Sequence, residues 1–146
     1  MHAIMDHIVL NVEDDENMVR FYCEVLGMSP ERLDEYRDGN APFPSVRLNP
    51  DTVIDLFPKP LWEWTGAHVT GSRLNHLCLA VSSNDWESLQ LRLAAADIAI
   101  EQGPAARWGA HGTGVSIYFR DPEENLIEVR HYSQRHKDSA TCMLGS

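Results

Sequence analysis

Met5-Asp6-His7-Ile8-Val9-Leu10 and Leu74-Asn75-His76-Leu77-Cys78-Leu79 are the two stretches on which the reading of this chain turns. Each sits in a run with strand-like alternation, Ala3 to Val12 and Leu74 to Val81, and each places a histidine mid-strand. In the first run Ile8 and Leu10 share one face, while Met5, His7 and Val9 share the other. Laying His7 on His76 also aligns the segments downstream of each. Glu13-Asp14-Asp15-Glu16 supplies N-cap candidates before a helical stripe of Met18, Phe21, Tyr22, Val25 and Leu26, which Gly27 ends. Ser83 or Asn84 with Glu87 opens a second helix, with Trp86, Leu89, Leu93 and Ala96 as its stripe.

Three strand-like runs come after each helix. In the first half they are Glu31 to Arg37, Phe43 to Asn49 and Thr52 to Phe57, parted by Gly39-Asn40 and Asn49-Pro50-Asp51. In the second they are Ile98 to Gln102, Val115 to Arg120 and Asn125 to Tyr132. The expectation is an α+β chain of two β-α-β-β-β modules, residues 3–58 and 73–133, forming a mixed, mostly antiparallel sheet around a cleft. Together they make one domain, 1–133, since a half of this size with one helix is marginal alone. A loop rich in Pro, Gly and Trp, Pro58 to Arg73, joins the modules, and 134–146 read as a polar tail.

The last strand of each module carries an acid among apolar residues: Asp55 in Val53-Ile54-Asp55-Leu56 and Glu128 in Leu126-Ile127-Glu128-Val129. A carboxylate with such neighbours costs several kcal/mol to bury unless a cation compensates it. Two histidines and one or two carboxylates on one concave face make a nitrogen and oxygen donor set suited to Zn, Ni, Co, Mn or Fe(II). A lone mid-strand histidine is more often a satisfied core or rim residue. The matched recurrence of His7 with His76 and of Asp55 with Glu128 favours the metal site. His68, His111 and His131 read as surface histidines, Trp62, Trp64 and Trp108 as pocket roof or packing, and the glycine-rich Arg107 to Gly114 as a mobile loop.

Composition narrows the classes. The 146 residues are 43% hydrophobic and carry 12 basic against 22 acidic side chains, a formal charge of −10 that disfavours nucleic acid and anionic membrane as partners. No apolar run approaches the ~18 residues of a membrane span. Three scattered cysteines, Cys23, Cys78 and Cys142, form no disulfide framework, and a cytoplasmic location is expected.

Two further stretches carry a family resemblance: Asp6 to Leu10 through Phe21-Tyr22 to Val25-Leu26-Gly27-Met28, and Ser116 to Pro122 through Asn125-Leu126-Ile127-Glu128-Val129. Across about residues 3–133 the sequence resembles the vicinal oxygen chelate superfamily, which includes glyoxalase I, fosfomycin-resistance metalloenzymes, extradiol dioxygenases and bleomycin-binding proteins. The resemblance implies a divalent metal on His7, Asp55, His76 and Glu128, with first-module and second-module ligands drawn from different chains of a homodimer. Two departures stand out. Glyoxalase I has Glu where this chain has Asp55, a reach shorter by ~1.5 Å. Glu124 replaces the usual glycine in the turn before the last strand, which calls its geometry into question.

The function so implied is that of a glyoxalase I-like lyase or isomerase. It would act on a small carbonyl or thiohemiacetal, with Glu128 moving a proton and Ser116 and Tyr118 touching substrate. The alternatives are a fosfomycin-type epoxide-opening enzyme and a metal-free binding protein of the bleomycin-resistance type.

Overall fold

The computed structural model describes residues 1–2, 4–63 and 74–132, and the chain divides into two compact units, Met1–Ser72 and Arg73–Ser146. Trp64, His68 and the polar tail lie outside the described residues.

The first unit contains β1 (His7–Asn11), α1 (Asp15–Arg20) running into a π-helical turn (Phe21–Val25), β2 (Ser29–Glu31), α2 (Leu33–Arg37), β3 (Ser45–Asn49), β4 (Thr52–Phe57) and α3 (Lys59–Trp62). Asp14 starts α1 by accepting the Asn17 amide at 3.0 Å. The wider turn brings Phe21 and Tyr22 into the core beside Met18. The sheet order is β1-β4-β3-β2, with β1 parallel to β4 and the other pairs antiparallel. Leu10, Val46, Ile54 and Leu56 are buried, and α1 packs against β4. Trp62 joins this core, its indole N–H donating to the Val12 carbonyl at 3.2 Å, so it is a packing residue.

The second unit repeats the plan with β5 (Leu77–Ala80), α4 (Ser83–Ala95), β6 (Gln102–Gly109), β7 (Gly112–Arg120) and β8 (Leu126–Tyr132), ordered β5-β8-β7-β6 with β5 parallel to β8. Ser82 caps α4 by accepting the Asp85 amide. Trp86, Leu89 and Leu93 of the helix are buried, as are Ile117, Phe119, Ile127 and Val129 of the sheet. Each unit is thus α+β with a four-stranded mixed sheet, as the sequence implied. Among the described residues no helix is long and apolar enough to cross a membrane.

Three local expectations are corrected. The strand expected at Glu31 to Arg37 stops at Glu31: Arg32 adopts a left-handed φ of 56°, and the chain turns into α2. There Tyr36 donates to Asp15 and Arg37 makes a bidentate pair with Glu16 at 2.9 and 2.6 Å. Anchorage to α1 wins over strand pairing. The strand expected at Ile98 to Gln102 begins only at Gln102, because α4 ends on a left-handed Asp97 and the Ile98 amide returns to the Leu93 carbonyl at 2.9 Å. The glycine-rich Arg107 to Gly114 is the tip of a β6–β7 hairpin, with Gly109 paired to Gly112. Ladder hydrogen bonds absorb its backbone groups.

Candidate metal centre

Period-2 alternation places the site residues. In the first sheet Val9 is the register partner of Asp55, and Asp55 of Ser45, so His7, Asp55 and Ser45 share the face turned away from α1. Asp55 is 9% exposed and takes a hydrogen bond from the Ser45 hydroxyl at 2.6 Å. Among the described residues no arginine or lysine pairs with it. His7 donates from Nδ1 to Asp6 at 2.6 Å, which leaves Nε2 for another partner. That bond, reinforced by the charges of Asp55 and Asp6 against the cost of burial, raises the imidazole above its usual pKa.

The second sheet repeats the arrangement with stronger support. Glu128 is register partner to Cys78 on one side and Tyr118 on the other, with Ser116 opposite Arg130 one step along. The carboxylate is 3% exposed. Oε1 accepts from Ser116 at 2.6 Å and from the Arg130 guanidinium at 2.5 Å, while Oε2 faces His76 Nε2 at 3.0 Å. Burial pushes the Glu128 carboxyl up, but Ser116, Arg130 and Tyr118 outweigh it and hold the group below the usual carboxylate range. Burial together with the Glu128 charge pushes the Tyr118 phenol up, so it stays a hydrogen-bond donor. Burial likewise raises the Cys78 thiol.

His76 repeats the arrangement of His7: its Nδ1 bonds the preceding side chain, Asn75 Oδ1, at 2.6 Å. With Nδ1 donating to that amide oxygen, Nε2 meets Glu128 either as an N–H donor or as a lone pair. A lone pair at 3.0 Å from a carboxylate oxygen is repulsive unless a cation lies between them. Either a proton on Nε2 or a metal ion satisfies that demand. The donor chemistry therefore fits a divalent metal. Imidazoles anchored through their second nitrogen are the usual form of a metal-binding histidine.

Each unit carries one histidine and one carboxylate of the expected set. Among the described residues no three His, Cys, Asp or Glu side chains gather closely enough to hold an ion. The structure brings Ser116 and Tyr118 to Glu128. It does not bring His131 to the site, since that ring packs on Trp86 at 4.6 Å. His111 stands edge-on to Tyr132 at 5.4 Å, and Trp108 is an exposed hairpin residue. Sequence reasoning passed over Arg130, Asp6, Asn75 and Ser45. Arg130 had a readable signal: two residues beyond Glu128 on one strand, it shares the same face.

The turn before β8 keeps its shape without glycine. Glu124 adopts φ 70°, its carbonyl accepts from Arg120 at 2.8 Å, and Asp121 accepts the amides of Glu123 and Asn125.

The two histidines stand at strand starts, not mid-strand as expected: His7 opens β1 and His76 immediately precedes β5, and these two β-α-β-β-β units with an acid on each last strand define the class of protein. The chain belongs to the glyoxalase/bleomycin resistance protein/dioxygenase superfamily, whose family model matches residues 4–129. It is 33% identical over 129 residues to the virulence protein STM3117 of Salmonella typhimurium, covering 88% of this chain and 83% of that one. The crystal structure of STM3117 superposes with a TM-score of 0.73, covering 90% of this chain and 98% of that chain. A probable lactoylglutathione lyase of Synechocystis is 27% identical over 127 residues, covering 84% of this chain and 91% of that protein. The fosfomycin resistance protein FosX of Mesorhizobium loti matches with a TM-score of 0.61, covering 94% of this chain and 98% of that one. At 16% identity that likeness speaks for the fold alone.

Proposed function

We propose that the chain is a metal-dependent enzyme of the glyoxalase I-like group, acting on a small carbonyl or thiohemiacetal by proton transfer. The observation that carries this reading is the His76 Nε2 and Glu128 Oε2 pair at 3.0 Å, with Nδ1 already committed to Asn75. His7, His76 and Glu128 would hold the ion, with Asp55 as a fourth donor or a partner through water. Bound there, a divalent metal supplies Lewis acidity toward substrate oxygens.

The chain's own residues do the rest. Glu128, kept ionised by Ser116 and Arg130, is the group that accepts a proton from substrate carbon and returns it. Fixing Oε1 leaves Oε2 as the working atom. Tyr118, protonated at neutral pH, donates to negative charge that develops on the substrate, and Ser116 orients the carboxylate. The lactoylglutathione lyase relatives support this reaction class.

In this reading the protein is a homodimer in which the His7 and Asp55 half of one chain meets the His76 and Glu128 half of its partner. Mixing the inactive His7→Ala and Glu128→Ala variants tests it. Random mixed dimers then carry one intact site each, and tight metal binding returns to roughly a quarter of the wild-type level. No recovery would put all ligands of a site on one chain, and full metal affinity in both single variants would remove the site itself.

A further inference from the structure

The cleft of the first unit, about 310 Å3, is lined by Asp6, His7, Asp55, Val53, Phe43 and Arg32, together with Ser45, Glu31 and Arg47. Most of its charges are already matched. Asp6 bonds His7, and Glu31 takes Arg47 Nε at 2.5 Å while Arg47 Nη1 also donates to the carbonyls of Asn49 and Pro50. Two groups of the lining form no ion pair with an Arg, Lys, Asp or Glu side chain among the described residues. They are Asp55, bonded by the Ser45 hydroxyl, and Arg32, whose guanidinium lies 4.7 Å over the Phe43 ring with no carboxylate partner. Buried Asp55 calls for a cation, and the solvent-exposed Arg32 guanidinium is open to an anion.

Backbone geometry explains why Arg32 is there at all. Successive residues of a strand point to opposite faces, so a chain extended through Glu31 and Arg32 would send Arg32 away from the cleft. The left-handed conformation at Arg32, φ 56° and ψ 24°, ends β2 and turns the side chain to the same side as Glu31. A residue with a Cβ is strained in that conformation, and strain of this kind collects at ligand-binding positions. Stacking on Phe43 then holds the guanidinium plane, leaving its N–H edge to donate.

We propose that Arg32 receives an oxyanion of the substrate, which is therefore a small organic anion with an apolar portion against Phe43 and Val53 and its reacting oxygens at the His7 and Asp55 end. Ser45 is flanked by Glu31 on β2 and Asp55 on β4, so the backbones of Asp55 and of Glu31, the residue before Arg32, are two strand spacings, about 10 Å, apart. That span suits a molecule of a few carbons. The proposal rests on the metal-enzyme reading of the site and names its substrate class.

A matched pair of probes tests it: phenylacetate and its neutral isostere phenylacetamide, titrated by NMR into the full-length protein, with chelator and again with stoichiometric Zn2+. Phenylacetate should bind about five-fold or more tightly than the amide without metal, with shifts at Arg32 and Phe43. Arg32→Asn, which accepts the left-handed backbone, should bring the two affinities together, and Arg32→Lys should keep part of the preference. Equal affinity for both probes in the wild type overturns the proposal. So does a preference that survives Arg32→Asn in folded protein, or one that appears only with Zn2+ and ignores Arg32, since the carboxylate would then sit on the metal. Failure of the metal reading shows separately, as absence of Zn2+ uptake while the Arg32 preference persists.

Discussion

Gly109 and Arg130 are fitted to each other with no room for a methyl group: a Cβ on Gly109 would lie 1.8 Å from Arg130 Nη1 and 2.7 Å from the Tyr132 hydroxyl. The guanidinium in that space donates to the Trp108 carbonyl at 3.1 Å and to Glu128 at 2.5 Å, and the Glu128 pairing raises the arginine's pKa despite burial. A hairpin glycine thus seats the cation that neutralises the candidate catalytic carboxylate.

Gly109→Ala should displace Arg130 and lower stability by about 1–3 kcal/mol, while Gly39→Ala, with open space around its Cβ, should show only the smaller strain of its left-handed φ. Urea denaturation of both variants checks the ranking. Equal losses would mean that Arg130 swings aside freely.

Arg130→Met should cost about 3 kcal/mol at pH 7, because Glu128 would be left buried with Ser116, Tyr118 and His76 as its remaining partners. Added metal should recover part of that loss. Thermal melts with and without Zn2+ measure both effects.

Acid sensitivity arises from the same carboxylate. Glu128 has a folded pKa below its unfolded one, near 4.3 for an ordinary glutamate, so its contribution is complete above that value and is lost as pH falls through the lower folded pKa. Glu128→Gln should therefore flatten the decline in melting temperature below about pH 4.3. An unchanged acid limb would assign the decline to other carboxylates.

Glu128→Gln retains an oxygen donor but cannot take a proton at neutral pH. Turnover of a thiohemiacetal substrate should fall by ~10²-fold or more while metal binding weakens moderately. Asp55→Asn should cost less, since Asp55 is the shorter acid and its bonding partner is the Ser45 hydroxyl. The reverse ranking, read from kcat with metal content measured alongside, would move the base to the first unit.

Glu124→Gly should stabilise the protein by roughly 1 kcal/mol, because the left-handed φ of 70° costs a residue with a Cβ more than it costs glycine. The turn's remaining bonds, from Arg120 and to Asp121, do not involve the Glu124 side chain. Calorimetric melting of the variant measures the difference.

Much of this was legible along the chain. Ile127 and Val129 alternate with Glu128, and that period alone predicts which face each takes. Of the helical stripe, Trp86, Leu89 and Leu93 are buried as their spacing implied, while Ala96 is the exposed residue that ends the helix. At Glu31 to Arg37 and at Ile98 to Gln102, where only Glu31 and Gln102 of the expected strands are extended, the deciding bonds come from elsewhere. Asp15 and Glu16 lie about twenty positions before Tyr36 and Arg37, and β7 supplies the ladder that starts β6 at Gln102. A window a few residues wide contains neither partner.

The repeated β-α-β-β-β pattern and the matched pairs His7 with His76 and Asp55 with Glu128 can be read along the chain, because strand and helix periods are local properties. Tertiary structure alone decided what those residues can do. Strand pairing brings Ser116 and Arg130 onto one oxygen of Glu128 and His76 onto the other. A left-handed turn at Arg32 sends a cation into a cleft that alternation would have denied it. Such effects depend on hydrogen bonds and charges between strands that meet only in the folded sheet, where distances of 2.5–3.0 Å decide whether a buried carboxylate is a liability or a working group.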